Sequence, residues 1–161
     1  EQPTFIESHR LAPFNPRATD VNVVLDLMIH DIDIIMDITK SNIQSMQVSG
    51  TKVLTDSTDI ANVRLQFENG CVANVTASRV SAKTERKMRL FQHNAYISVD
   101  FQDRVLKIYQ KGEKEMHPGI PEIISHESTY EDNDALNLEI IAFLDSIQNG
   151  TPVIVSGEDG R

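Results

Sequence analysis

An alternation of apolar and polar residues runs through the middle of the chain, from Ser45 to Gln110. Every second residue of 63–67 is apolar, Asn69-Gly70 then supplies a hairpin turn, and 71–77 returns with the same period. Further runs with this period are 88–92, 97–101 and 106–108. A period of two favours half-buried antiparallel strands. The centre of the chain is therefore predicted to be a meander of such strands.

Two segments outside this meander are predicted to be helices. The stretch 21–39 contains no Gly or Pro, and Asp20 is placed to cap its first turn. A second helix is predicted over 133–148, where Leu136, Ile140 and Phe143 share one face and Asp132 or Asn133 can cap the start. Asn149-Gly150 is a typical helix end.

The remaining segments complete the predicted fold class. Thr4–His9 and Ile123–Tyr130 are predicted to be strands, and Lys111–Pro121, which contains Gly and Pro, is predicted to be a loop. The expected architecture is α+β, with an open, mostly antiparallel mixed β-sheet and helices packed on one face.

Composition excludes several classes of function. The 161 residues carry 15 Lys and Arg against 24 Asp and Glu, a net charge of −9, which disfavours binding to nucleic acid. No apolar run approaches the roughly 18 residues of a membrane-spanning helix, so we expect no membrane partner. The single cysteine, Cys71, excludes an internal disulfide framework and agrees with a cytoplasmic location.

The first helix carries a narrow polar stripe. At about 100° per residue, five polar side chains share an arc of roughly 80°, namely those of Asn22, Asp26, His30, Asp33 and Asp37. Almost all other positions are apolar, and Asp31 lies on the opposite side. A solvated stripe usually carries long Lys, Glu or Arg side chains, which this one lacks. The stripe is therefore a candidate cleft wall.

The stripe contains a candidate acid–base pair. Asp26 and His30 are one turn apart, so the carboxylate can orient and polarise the imidazole, as a general acid–base catalyst requires. Two other interpretations stay open: a plain solvated face, or metal ligation by Asp26, His30 and Asp33 in a metal-dependent hydrolase. A third is a non-catalytic assembly module, since the free sheet face would expose apolar residues such as Val72 and Tyr109.

The motif Asp-x-x-x-His-x-x-Asp over 26–33 resembles the C-terminal domain of the Gfo/Idh/MocA oxidoreductases. The closing helix and the tail over 149–160 resemble that domain as well. The stretches 9–14 and 20–26 further resemble a branch of the family that oxidises the 3-hydroxyl of UDP-N-acetylglucosamine.

The resemblance implies a two-domain enzyme in which 1–161 is the substrate-binding and oligomerisation C-terminal domain. NAD or NADP would be bound by an N-terminal Rossmann domain, because the seven glycines here form no G-x-G-x-x-G. The family's Glu-Lys-Pro lysine is also absent, so we expect this fragment alone to be inactive. We predict no cofactor-binding or metal-binding residue in this chain. A homodimer or homotetramer through the sheet face is expected.

The resemblance also implies roles for individual residues. His30 would take the proton from the sugar hydroxyl, Asp26 would orient His30, and Asp33 would bind another hydroxyl. Arg10 and Arg17 flank the loop before the helix and are candidates for contact with a diphosphate. A last candidate for substrate binding is Arg79, predicted to line the cleft from the sheet edge.

Overall fold

The computed structural model describes residues 2–16, 20–131 and 134–158. The chain divides into two units, one up to Thr129 and one from Tyr130 onward. The described part of the first unit contains eight strands in one sheet. Their bounds are β1 Phe5–Leu11, β2 Ile43–Thr51, β3 Ile60–Phe67, β4 Val72–Ser78, β5 Glu85–Phe91, β6 Ala95–Asp100, β7 Val105–His117 and β8 Ile120–Thr129.

The sheet is mixed, as predicted. Its strand order is β2-β3-β4-β1-β5-β6-β7-β8. β1 runs parallel to β4 and antiparallel to β5, and every other neighbouring pair is antiparallel. β1 therefore joins two antiparallel meanders at the centre of the sheet.

One face of the sheet forms the hydrophobic core. Alternate residues of β3 and β4 are buried, including Val63, Leu65, Ala73 and Val75. The turn between these strands contains Gly70 at φ 87°, a left-handed conformation that glycine adopts without strain. The period of two thus predicted both the strands and the face that they bury.

The first helical segment packs on this core face. It begins with a π-helical turn, Val24–Met28, and continues as α1, Ile29–Thr39. Val23, Met28 and Ile35 are fully buried and belong to the core cluster. A helix on one face of the sheet was the expected arrangement for this segment.

The predicted capping residue of this helix was wrong. The side-chain oxygen of Asn22, not of Asp20, accepts hydrogen bonds from the backbone N–H groups of Val24 and Leu25, at 3.0 and 3.1 Å. The helix begins at Val24, so Asn22 is in reach of the first free N–H groups and Asp20 is too far upstream.

The predicted loop at Lys111–Pro121 was also wrong. β7 continues to His117 and pairs with β8, which begins at Ile120. The register shifts between Lys111 and Glu115 and again before His117, so bulges accommodate the irregular stretch within the ladder. Cross-strand pairing has overridden a composition that is typical of loops.

The second unit contains α2, Ala135–Asn149. The carboxylate of Asp134 caps it by accepting from the N–H of Asn137 at 3.1 Å, whereas Asp132 and Asn133 lie outside the described residues. Gly150, at φ 64°, ends the helix as predicted. No helix in the described part of the chain is long and apolar enough to cross a membrane.

Candidate active site

The polar stripe of the first helical segment lies at the protein surface. His30 and Asp33 are exposed, and Asp26 is half-buried. Within the described ranges, no hydrogen bond or ion pair engages the carboxylate of Asp26 or the imidazole of His30. Both groups are therefore available to a ligand.

The π-helical turn places Asp26 and His30 on a modified helix. The N–H of Ile29 donates to the carbonyl of Val24, five residues back. A wider turn rotates the chain less per residue than an α-helix does. The roughly 40° separation of Asp26 and His30 assumes a regular helix, so the π-turn changes the angle between them. π-turns are frequent at functional sites, and the apolar pattern over 21–29 gave no indication of this one.

A buried ion pair fixes the helix immediately after His30. The Arg10 guanidinium binds both carboxylate oxygens of Asp31, with Nη2 at 2.7 Å from Oδ1 and Nε at 3.1 and 3.2 Å from the two oxygens. The side chains are only 11% and 3% exposed. The structure therefore engages Arg10, predicted to contact a diphosphate, in tying α1 to β1. Asp31 projects away from the stripe, as its helical angle indicated.

Arg79 is buried beneath the start of the helical segment rather than open to a cleft. It is 4% exposed, its Nε donates to Oδ1 of Asp59 at 2.8 Å, and its Nη1 donates to the carbonyl of Val21 at 2.7 Å. This location favours a structural role over direct contact with a substrate. The remaining predicted arginine, Arg17, lies outside the described residues.

Asp59 organises the loop between β2 and β3. Its Oδ2 accepts from the N–H groups of Val53, Leu54 and Thr55, at 2.7–2.9 Å, and its Oδ1 accepts from the Thr55 hydroxyl at 2.7 Å. Burial alone would raise the pKa of Asp59, but these hydrogen bonds, with that from Arg79, hold the pKa far below its usual range. Asp59 is therefore a permanently charged anchor.

Sequence reasoning missed this anchor and the Arg10–Asp31 pair, although one signal pointed to each. The run Thr55-Asp56-Ser57-Thr58-Asp59 has the composition of a turn stabilised by side-chain to backbone hydrogen bonds. Asp31, a carboxylate on the apolar side of a helix, required a buried cationic partner. Among the described residues, no three His, Cys, Asp or Glu side chains converge in a way that could hold a metal ion.

Comparison with known proteins identifies the class. The family model of the GFO/IDH/MocA C-terminal domain matches residues 4–98. The match covers more than half of the chain and includes β1, the helical segment and the sheet as far as β6. The chain belongs to this family.

The comparisons also include a particular relative. UDP-N-acetylglucosamine 3-dehydrogenase from Acidithiobacillus ferrooxidans is 40% identical over 159 residues, which are 99% of this chain and 50% of that protein. A solved structure of that enzyme superimposes with a TM-score of 0.89 at 39% identity, again over 99% of this chain and 50% of the other. The chain thus spans about half the length of this relative.

More distant structures share the fold alone. Levoglucosan dehydrogenase in complex with NADH and levoglucosan gives a TM-score of 0.81 at 13% identity, over 99% of this chain and 53% of that one. A super-repressor mutant of Gal80p from Saccharomyces cerevisiae gives 0.75 at 13% identity, over 95% and 47%. Since the fold occurs in a repressor as well as in dehydrogenases, function has to be argued from the site.

Proposed function

We propose that this chain is the substrate-side, C-terminal domain of an NAD(P)-dependent oxidoreductase that oxidises a hydroxyl group of a nucleotide sugar. One observation carries the proposal: Asp26 and His30 lie one turn apart on an exposed helical stripe, and neither is engaged by another described side chain. The 40% identity to UDP-N-acetylglucosamine 3-dehydrogenase supports the 3-hydroxyl of UDP-N-acetylglucosamine as the reacting group.

In this proposal, residues of this chain accept the proton of the reacting hydroxyl and orient the sugar. The neutral imidazole of His30 accepts the proton of the sugar hydroxyl while a hydride leaves the carbon that bears this hydroxyl, so that the alcohol becomes a ketone. Asp26, which makes no hydrogen bond to the ring in this structure, is assigned the stabilisation of the imidazolium that forms once the sugar is bound. Asp33, one turn further along the stripe, donates no proton but accepts a hydrogen bond from a second hydroxyl and so orients the sugar.

The hydride acceptor is assigned to a Rossmann domain outside this chain. The glycines with positive φ among the described residues are Gly70, Gly119 and Gly150, which lie in hairpin turns or after the end of α2, and none opens a helix. A pyrophosphate cradle needs such glycines ahead of a helix N-terminus, so the described residues do not fit that role. NAD or NADP, when bound, supplies the oxidising nicotinamide ring. Structures of levoglucosan dehydrogenase contain NADH.

A spectroscopic assay tests this function. The whole protein that carries this chain is mixed with UDP-N-acetylglucosamine and NAD or NADP, and reduced nicotinamide is followed by its absorbance. We expect His30→Ala to lower kcat about 100-fold or more, since general-base removal typically costs 10²–10⁴. His93→Ala is the matched control, because His93 lies in the turn between β5 and β6. Equal rates for both variants would refute the assignment.

Self-association through the sheet face opposite α1 is a second part of the proposal. On that face, Phe5, Phe91, Tyr96 and Tyr109 are cross-strand neighbours on four adjacent strands. Their ring centroids are separated by 5.7, 5.1 and 5.4 Å in succession. These aromatic residues are only partly buried, and a second copy of the chain would cover them, as a homodimer or homotetramer.

Light scattering on the whole protein tests this part. The Tyr96→Ser variant, which interrupts the aromatic row, is expected to shift the mass towards that of a monomer. The Asp37→Asn variant, an exposed polar change on α1 and so on the other side of the sheet, is the control and is expected to leave the mass unchanged. A cytoplasmic location, consistent with the single free Cys71, completes the proposal.

A further inference from the structure

The start of the helical segment is tied to the sheet by the Arg79 side chain. Besides its bonds to Asp59 and to the carbonyl of Val21, Arg79 donates from Nη2 to the hydroxyl oxygens of Thr55 at 2.9 Å and Ser57 at 2.5 Å. All three guanidinium nitrogens thus have acceptors, and the acceptors come from two separate segments, the loop between β2 and β3 and the start of the helical segment.

The loop between β2 and β3, which contains Thr55, Ser57 and Asp59, holds the start of the helical segment by two further bonds. The Ser57 hydroxyl donates to the carbonyl of Val21 at 3.4 Å, and the N–H of Val23 donates to the carbonyl of Thr58 at 3.0 Å. Residues on both sides of Asn22 are therefore fixed to the loop that Asp59 and Arg79 organise. We call Arg79, Asp59, Thr55 and Ser57 the Arg79 network.

A short covalent path leads from this network to the candidate site. Asn22 caps the π-turn through its side chain, and its carbonyl accepts from the N–H of Asp26 at 3.1 Å. Beyond His30, the bidentate Arg10–Asp31 pair holds the other end of the segment. The segment 22–30, with its π-turn, Asp26 and His30, is thus held at one end by the buried guanidinium of Arg79 and at the other by the nearly buried guanidinium of Arg10.

We propose that Arg79 is a positioning residue of the oxidation reaction, acting through the Val21 carbonyl and the Asn22 cap on the orientation of Asp26 and His30. This inference rests on the proposed function. It assigns Arg79 no contact with substrate, in contrast to the role that the sequence suggested. A lysine cannot replace it, because an ammonium group is a single point of charge and cannot reproduce the separate bonds from Nε to Asp59, from Nη1 to the Val21 carbonyl and from Nη2 to the hydroxyls of the loop.

Steady-state kinetics of the whole protein, with UDP-N-acetylglucosamine and the dinucleotide, provide the test. We expect Arg79→Lys to lower kcat about 10- to 100-fold, because a displacement of about 1 Å at reacting groups has that effect. The KM for the nucleotide sugar should change less than about threefold, since the substrate contacts are retained. Arg64→Lys is the matched control: Arg64 lies on β3, is exposed, and among the described side chains bonds only to Asn74.

A pH profile and a milder variant separate positioning from mere stabilisation. Misalignment of Asp26 and His30 should alter the limb of the kcat/KM profile that reports the base, whereas a purely structural loss lowers only the folded fraction measured by circular dichroism. Ser57→Ala removes one bond to Val21 and should lower kcat in the same direction. If Arg79→Lys does not fold, the kcat of Ser57→Ala decides the question, and an unchanged value overturns the inference.

The outcome also distinguishes this inference from the proposed function. Full activity in His30→Ala would remove the proposed reaction itself. Loss of activity in His30→Ala, together with unchanged kcat and pH profile in Arg79→Lys and Ser57→Ala, would retain the reaction and overturn the positioning role alone.

Discussion

The Arg10–Asp31 ion pair predicts that the same substitution has very different effects on stability at two aspartates of α1, Asp31 and Asp33. Asp31 is 2% exposed and paired, whereas Asp33, two residues along, is exposed on the polar stripe. Asp31→Asn leaves the Arg10 guanidinium without its countercharge in a nearly buried position. Breaking one side of such a pair costs about 3–5 kcal/mol, whereas the exposed Asp33→Asn should stay within about 0.5 kcal/mol of the unchanged protein.

Urea unfolding followed by circular dichroism measures both variants. With a slope of about 2 kcal/mol per molar urea, Asp31→Asn should lower the unfolding midpoint by about 1.5–2.5 M. The double variant Arg10→Met/Asp31→Leu should recover most of this loss, because an apolar pair avoids the unpaired buried charge. Equal midpoints for Asp31→Asn and Asp33→Asn would refute the reasoning.

Three further predictions concern other parts of the first unit. The pKa of Asp59 is lower in the fold than in the unfolded chain, so its contribution to stability is complete above about pH 5 and is lost as the pH falls below about 4. In Asp59→Asn the free energy of unfolding should therefore depend less on pH in this acid range, as measured by acid unfolding. Burial raises the pKa of the Cys71 thiol, so iodoacetamide at pH 8 should label the unfolded chain much faster than the folded one. In Gly50→Ala, the new Cβ would lie 2.8 Å from Cγ2 of Thr58, so calorimetry should show a loss of about 1–3 kcal/mol, whereas Gly157→Ala, with nothing within 4 Å, should unfold as before.

Much of the sheet could be predicted from the sequence because its central strands bury one face. Over β3 and β4 the period of two identifies both the strands and the buried residues, and Asn69-Gly70 identifies the turn. The hairpin of β7 and β8 could not be predicted in full. Beyond Lys111 its residues are mostly exposed, so no apolar periodicity marks the strand and backbone pairing alone extends it.

The candidate site divides in a similar way. Helical spacing was sufficient to place Asp26 and His30 on one stripe and Asp31 opposite to it. The partners of Arg10 and Arg79 could not be predicted, because they depend on contacts between residues 20–60 positions apart, as between Arg79 and Val21. The π-turn is a local bond from Ile29 to Val24, and no feature of the sequence pattern marks it. The sequence does not distinguish an arginine that binds a ligand from one that binds a buried carboxylate.

The central claim is that His30 accepts the proton of a sugar hydroxyl. Chemical rescue tests it most directly: single-turnover formation of reduced nicotinamide is measured for His30→Ala in the whole protein, without and with added imidazole. We predict that the variant is slow and that imidazole restores part of the rate, saturably and in proportion to its neutral fraction. A variant that reduces the dinucleotide as fast as the unchanged protein, with no response to imidazole, would contradict the claim.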